Sequence, residues 1–248
     1  MATLAIIGGS GLARMEGLNI TRREMVKTPF GAPSCPLIFG EYAGVDVVFL
    51  ARHGNTHRFP PHRINYCANI WALHSVGIER IIAIGAVGGI ADDCKLGKLV
   101  IPDQIIDYTV GRQNTFFDGG SEAVKHIDFS YPYDDTLRKA LIEGAENTDG
   151  VALRRDGILG VTQGPRLETA AEIARLQRDG CSLVGMTAMP ETALAREMDM
   201  AYAACLVVVS RAAGIDGNTV NTDVLPQAIN DAMISARSVL QKTLPLLA

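Results

Sequence analysis

Short apolar runs rich in Val, Ile and Leu recur along this chain, each too short for a buried helix and each separated from the next by a segment with other spacing. They lie at Leu4 to Ile7, Val47 to Leu50, Arg80 to Ile84, Leu99 to Ile101, Leu183 to Met186 and Leu206 to Val209. Such runs, bounded by turn residues, read as buried strands. Helix candidates fall between or after them at Ile64 to His74, Thr169 to Arg178 with Gly180 as a stop, Glu191 to Met198 behind Pro190, and Asp223 to Leu244. The alternation predicts an α/β fold. In the last helix Ile229, Ala232, Met233, Ala236 and Leu240 form an i, i+3, i+4 stripe, and Asn221, Thr222 and Asp223 can each cap its start.

With 248 residues, 48% of them hydrophobic, the chain can close a sizeable core, and one domain over residues 1–248 is expected. A net charge of -4 without any cluster of Lys and Arg gives no footprint for a nucleic-acid backbone, so a small ligand is the expected partner. Cys35, Cys67, Cys94, Cys181 and Cys205 are scattered, with neither metal-ligand nor dithiol spacing. No apolar run reaches the roughly 20 residues of a membrane span, and Met1 to Gly11 is short and lacks a basic leader, so cytoplasmic residence without membrane contact is expected. Arg112 to Tyr133, with Gly, Asn and aromatic residues, reads as a long ordered loop of the kind that often carries function.

Several turns at expected strand ends could bind an anion. Gly8-Gly9-Ser10-Gly11 follows the first run, where small residues let backbone N–H groups and a hydroxyl surround a charge, although a plain tight turn reads the same way. The G-x-G-x-x-G spacing of dinucleotide folds is absent. Ala51-Arg52-His53-Gly54-Asn55-Thr56-His57 follows the second run, and Arg52 can offer a two-pronged donor while a neutral His53 donates one hydrogen bond. Gly85-Ala86-Val87-Gly88-Gly89 follows the third. Gly164-Pro165-Arg166-Leu167-Glu168 and Met186-Thr187-Ala188-Met189-Pro190-Glu191 add a hydroxyl or carboxylate able to orient a sugar, or else a capped helix start.

Taken in order, these stretches, together with Thr28-Pro29-Phe30-Gly31 and Asn65-Tyr66-Cys67-Ala68-Asn69-Ile70-Trp71-Ala72-Leu73, resemble the motifs of the trimeric purine nucleoside phosphorylase and methylthioadenosine phosphorylase family. The resemblance runs almost end to end. It implies a central mixed, partly barrel-like sheet flanked by helices, and a phosphate site of Ser10, Arg52, His53, Ala86 and Thr187, with Gly85 beside it. On the nucleoside side it implies Met186 under the ribose, Leu167 in place of a base-stacking aromatic residue, and Thr169 close by. His126 resembles a histidine that reaches across a homotrimer interface to cover the sugar's 5′ end.

The reaction implied is displacement at the anomeric carbon through an oxocarbenium-like transition state, with phosphate as attacking co-substrate and no metal or organic cofactor. Arg52, His53 and Ser210 are the expected catalytic residues. Family members acting on adenine nucleosides place two Asp residues after the strand that here is Leu206 to Val209, and members acting on 6-oxopurines place an Asn near there. This chain reads Ser210-Arg211-Ala212 and has neither, unless Asn218 or Asn221 folds back. Losing the carboxylates removes an acceptor for an amino group and leaves the Ser210 hydroxyl to donate to a carbonyl, so a 6-oxopurine is expected. At the sugar end the chain resembles the methylthioadenosine branch, with Thr222 where that branch places a small residue beside the 5′-methylthio group and Asp223 next to it.

Together these features imply phosphorolysis of S-methyl-5′-thioinosine in purine salvage. Polar Thr222 and Asp223 keep inosine or guanosine open, and Asp216 or Asp223 could rebuild adenine contacts. A nucleoside-binding sensor that kept the fold is the non-enzymatic alternative.

Overall fold

A computed structural model describes residues 3–119, 123–217 and 219–248. Among the described residues, eleven strands pair into one branched sheet of mixed direction. Its centre is β1 (Leu4–Gly8), buried at every position, which lies parallel to β4 (Val45–Ala51) on one edge and to the first half of β5 (Arg80–Gly89) on the other. Beyond β4 the sheet continues antiparallel through β3 (Leu37–Tyr42) to β2 (Asn19–Glu24), an outer strand exposed at every residue.

The sheet forks at β5. Residues Arg80 to Ala83 pair with β1, whereas Gly88 and Gly89 pair antiparallel with β10 (Leu183–Gly185). From β10 the sheet runs parallel through β9 (Ile158–Val161) to β7 (Gln104–Asp107). The other edge of β5 is covered along its length by β11 (Ala201–Arg211), which also pairs with β6 (Leu99–Val100), and β6 in turn pairs with β8 (Leu153–Arg154). Between Ala83 and Gly88, β5 has thus lost β1 and not yet gained β10, and backbone is left facing open space.

The expected alternation of strands and helices is observed, with differences at the ends. α1 (Tyr66–Ser75) starts where the Asn65 side chain accepts from the Ala68 N–H, and α3 (Ala170–Arg178) starts with a reciprocal capping box between Thr169 and Glu172. α4 (Ala188–Glu197) is interrupted at Met189, whose backbone is extended, so its regular turns begin at Pro190. α5 (Leu225–Thr243) buries Ala232, Met233, Ala236, Val239 and Leu240, close to the expected stripe. It is not capped by Asn221, Thr222 or Asp223: the N-cap is Val224, without a side-chain bond, and Asn221 Oδ1 instead accepts from the Asp223 N–H in a local turn.

A further helix, α2 (Asp135–Glu146), capped by Asp134, packs with α5 against β11. The expected turn at Gly85 to Gly89 is strand instead, because β11 holds this glycine-rich stretch extended along its whole length. No strand or helix occurs among the described residues from 109 to 134, in keeping with the expected long loop. No helix is long and apolar enough to cross a membrane, among the described residues.

Candidate active site

The fork in the sheet opens into a cavity of about 180 Å³. Ser10, Arg52, His53, Gly85, Ala86 and Thr187 all line it, so the residues expected to hold phosphate converge from the ends of β1, β4 and β10 and from the middle of β5, which is paired there with β11 alone. The turn after β1 is closed by the Leu12 N–H on the Gly9 carbonyl, with Gly11 at φ 77°. A Cβ on Gly9 would stand 2.7 Å from Arg52 Nη1 and from the Ile84 carbonyl oxygen, so only glycine lets Arg52 reach across to β5.

Arg52 is only 2% exposed. Its Nε and Nη2 donate to the two oxygens of Glu191 at 2.9 and 2.8 Å, and its Nη1 donates to the Ile84 carbonyl at 2.8 Å, beside the fork. Glu191 is fully buried and also accepts from the Tyr202 hydroxyl at 2.8 Å. Burial opposes the charge on Arg52, but the Glu191 carboxylate outweighs it and holds the guanidinium pKa above its ordinary value. The expected two-pronged grip on phosphate is therefore corrected in part, since that fork is spent on Glu191. Of the five N–H groups a guanidinium carries, one on each terminal nitrogen remains for an anion. Glu191, expected as a sugar-orienting carboxylate, instead anchors the arginine.

His53 is buried, and its Nδ1 lies 2.8 Å from the Phe59 carbonyl, which can only accept. Burial, with lesser contributions from Arg52 and His57, pulls its pKa down to about 4, so the ring is neutral at neutral pH and its single N–H goes to Phe59. Toward an anion it presents an acceptor nitrogen, able to receive a P–OH hydrogen bond. This corrects the expected donor. Thr187 is the N-cap residue of α4, yet its hydroxyl makes no cap bond, so it is available in the cavity that it lines.

At the opposite end Leu167, Glu168, Met186, Val209, Ser210, Ala212 and Ala213 line the space. Val209 and Ser210 both reach it although successive strand residues normally face opposite ways, because a register shift in β11 between Val208 and Ser210 re-aims them. Glu168 is half-buried, with one carboxylate oxygen accepting from the Thr162 hydroxyl and the other without a hydrogen-bond donor among the described residues. Glu168, expected as a sugar-orienting carboxylate, lines the cavity together with Ser210. Val220, Leu225 and Ile229 form an apolar wall of the cavity, with Ile229 packed beside Gly11 in the turn after β1, and the α5 stripe marks Ile229 in the sequence.

Thr169, Arg211, Asp216, Asn221, Thr222, Asp223 and His126 do not line the cavity. The Thr169 hydroxyl is spent capping α3. Arg211 turns to the carbonyls of Ala91 and Cys94 and to Asp216, which removes Asp216 as an adenine contact. Thr222 and Asp223 are exposed on the segment before α5, and Asn221, exposed there too, is occupied with the Asp223 N–H. His126 is exposed on the loop between β7 and α2. Asn218 lies outside the described residues. All five cysteines are free and buried, and no group of three or more His, Cys, Asp or Glu with metal-binding geometry occurs among the described residues.

Comparison with known proteins gives a consistent match. The Phosphorylase superfamily profile covers residues 3–245. A probable S-methyl-5′-thioinosine phosphorylase of Pseudomonas syringae pv. tomato is 50% identical over 98% of this chain and 99% of its own length. A 6-oxopurine nucleoside phosphorylase of Pyrococcus furiosus is 47% identical over 88% of this chain and 82% of its own. Among solved structures, a methylthioadenosine phosphorylase from Schistosoma mansoni in complex with tubercidin superposes with a TM-score of 0.90 at 29% identity, covering 100% of this chain and 92% of that one.

Proposed function

The chain belongs to the Phosphorylase superfamily, and from that premise we propose that it catalyses the reversible phosphorolysis of S-methyl-5′-thioinosine to hypoxanthine and 5-methylthioribose 1-phosphate, a reaction of purine salvage. The observation that carries this reading is the base end of the cavity, where Glu168 and Ser210 stand without a second carboxylate. A 6-oxopurine offers an N1–H donor beside an O6 acceptor, which match a carboxylate and a hydroxyl. Adenine would turn an N1 lone pair toward the carboxylate instead.

Val220, Leu225 and Ile229 line the cavity where Thr222 and Asp223 do not, and an apolar wall there supports a methylthio substituent at the sugar's 5′ end over a hydroxyl. The relatives described above, one a probable S-methyl-5′-thioinosine phosphorylase and one a 6-oxopurine nucleoside phosphorylase, support the same pair of choices.

In the proposed mechanism phosphate binds between Ser10, the two remaining N–H groups of Arg52, the acceptor nitrogen of His53, the β5 backbone at Gly85 and Ala86, and Thr187. One phosphate oxygen forms a bond to the anomeric carbon as the bond to N9 breaks. The bonding pair leaves with the purine, which takes up a proton. Oxocarbenium charge on the sugar is stabilised by the phosphate itself, so catalysis is mainly positioning and preorganised electrostatics. Phosphate is the co-substrate, and no organic cofactor enters the reaction.

The working unit is proposed to be one domain over residues 1–248, assembled as a cytoplasmic homotrimer in which the exposed His126 covers a neighbour's cavity. Incubation with phosphate and, separately, methylthioinosine, methylthioadenosine, inosine and adenosine tests the reading. Methylthioinosine should be preferred by about tenfold or more in kcat/KM, the scale of one well-made pocket contact. Faster release of adenine than of hypoxanthine would refute the base assignment, and binding without phosphate-dependent release would make the chain a sensor.

A further inference from the structure

Arg112 lies outside the cavity, yet its guanidinium gathers the backbone of the segments that form it. Nη1 donates to the Met186 carbonyl at 2.9 Å and to the Met189 carbonyl at 2.5 Å, and also contacts the Tyr66 hydroxyl at 3.3 Å. Nη2 donates to the Gln163 carbonyl at 2.9 Å and the Thr162 carbonyl at 3.3 Å, and Nε reaches the Gln163 side-chain oxygen at 3.2 Å. The Tyr66 hydroxyl in turn donates to the carbonyl of Pro61, a cavity residue, and Thr162 holds Glu168. Burial lowers the pKa of this cation, with Tyr66 and Asp107 acting the other way, and its hydrogen-bond partners among the described residues are carbonyls, the Gln163 amide and the Tyr66 hydroxyl.

The geometry of the peptide group gives this clamp a consequence inside the cavity. In a planar trans peptide the C=O and the following N–H point to opposite sides. With the Met186 carbonyl turned outward to Arg112, the Thr187 N–H is turned inward, toward the cavity that Thr187 lines. The extended backbone at Met189, with its own carbonyl on Arg112, keeps Thr187 from joining an ordinary first helical turn. We propose that Arg112 is a positioning residue that holds Met186 to Met189 so that the Thr187 N–H and hydroxyl stay aimed at the phosphate.

This proposal rests on the reading of the cavity as a phosphorylase site, and the experiment separates the two. Steady-state kinetics of the wild type, Arg112→Lys and Arg112→Met are measured with phosphate varied at saturating nucleoside and the reverse, alongside unfolding curves that give the folded fraction. If the wild type shows no phosphate-dependent release, the functional reading fails. If it does, Arg112→Met should raise the KM for phosphate at least tenfold and lower kcat, per folded molecule, with less change in the KM for nucleoside. Arg112→Lys should recover part of the phosphate KM, because an ammonium can serve some of the same carbonyls. A phosphate KM within twofold of wild type in both variants, or losses that follow the folded fraction alone, would overturn the proposal. Should Arg112→Met fail to fold, Arg112→Lys decides by the same KM criterion.

Discussion

Replacing Glu191 by Gln keeps the side chain's shape and removes its charge from beside Arg52. The carboxylate is fully buried and accepts three hydrogen bonds, two from Arg52 and one from Tyr202, so the substitution leaves a buried guanidinium without its counter-ion and turns an amide NH2 toward other donors. Breaking one side of a buried pair costs about 3–5 kcal/mol. For a chain of this length each kcal/mol moves Tm by about 2–4 °C, so Glu191→Gln should melt roughly 6–20 °C below wild type.

Urea and thermal unfolding in phosphate-free buffer measure this directly. The double variant Arg52→Met, Glu191→Met should lose less stability than the sum of Arg52→Met and Glu191→Met, because removing both partners leaves no orphaned charge. A Glu191→Gln protein within about 1 kcal/mol of wild type, or additive single and double variants, would refute the buried pair as the anchor of the site.

Three further outcomes follow from the same structure. An unfolded imidazole titrates near 6.5 and His53 in the folded chain only near 4, so the unfolded state binds the extra proton in between: stability is complete above pH 6.5 and falls toward pH 4, by up to about 3 kcal/mol. His53→Gln should flatten that part of the stability–pH curve, and an unchanged slope would contradict the buried neutral ring. Ser210→Asp with Ala212→Asp places two carboxylates in the cavity and should shift kcat/KM from hypoxanthine-containing toward adenine-containing nucleosides by about tenfold or more, and an unchanged ratio would mean the base is read elsewhere. Ile229→Ser removes part of the apolar wall and should lower the preference for methylthioinosine over inosine by about tenfold, as the ratio of kcat/KM values will show.

The parts of the fold visible in the residues are those where burial dictates composition. β1, β4, β5 and β11 are apolar because they are covered on both faces, and each contains one of the expected runs. β2 reads Asn-Ile-Thr-Arg-Arg-Glu and is exposed throughout, so no hydrophobic pattern marks it; only its hydrogen bonds to β3 make it a strand. β6 falls within the expected run Leu99 to Ile101, whereas β8 is a two-residue pairing set by a neighbour distant in sequence. At Gly85 to Gly89 a glycine-rich composition suggests a turn, and pairing with β11 overrides it.

Of the residues proposed to hold phosphate, Ser10, Arg52, His53 and Thr187 follow strand ends, where the sequence marks them, whereas Gly85 and Ala86 lie inside β5. Thr222 and Asp223 do not line the cavity, because α5 starts later than its polar residues suggest, at Leu225, which brings Leu225 and Ile229 there. Arg112 had no signature at all, since most of what it binds is backbone carbonyl, which every residue carries alike.

The central claim is that phosphate attacks the anomeric carbon and a 6-oxopurine leaves. Turnover of S-methyl-5′-thioinosine with ¹⁸O-labelled phosphate, followed by mass analysis of both products, tests it most directly. The account predicts hypoxanthine together with a methylthioribose 1-phosphate that retains the full ¹⁸O label of the phosphate, including the oxygen joined to the sugar. Unlabelled free methylthioribose, or base release at the same rate without phosphate, would contradict it.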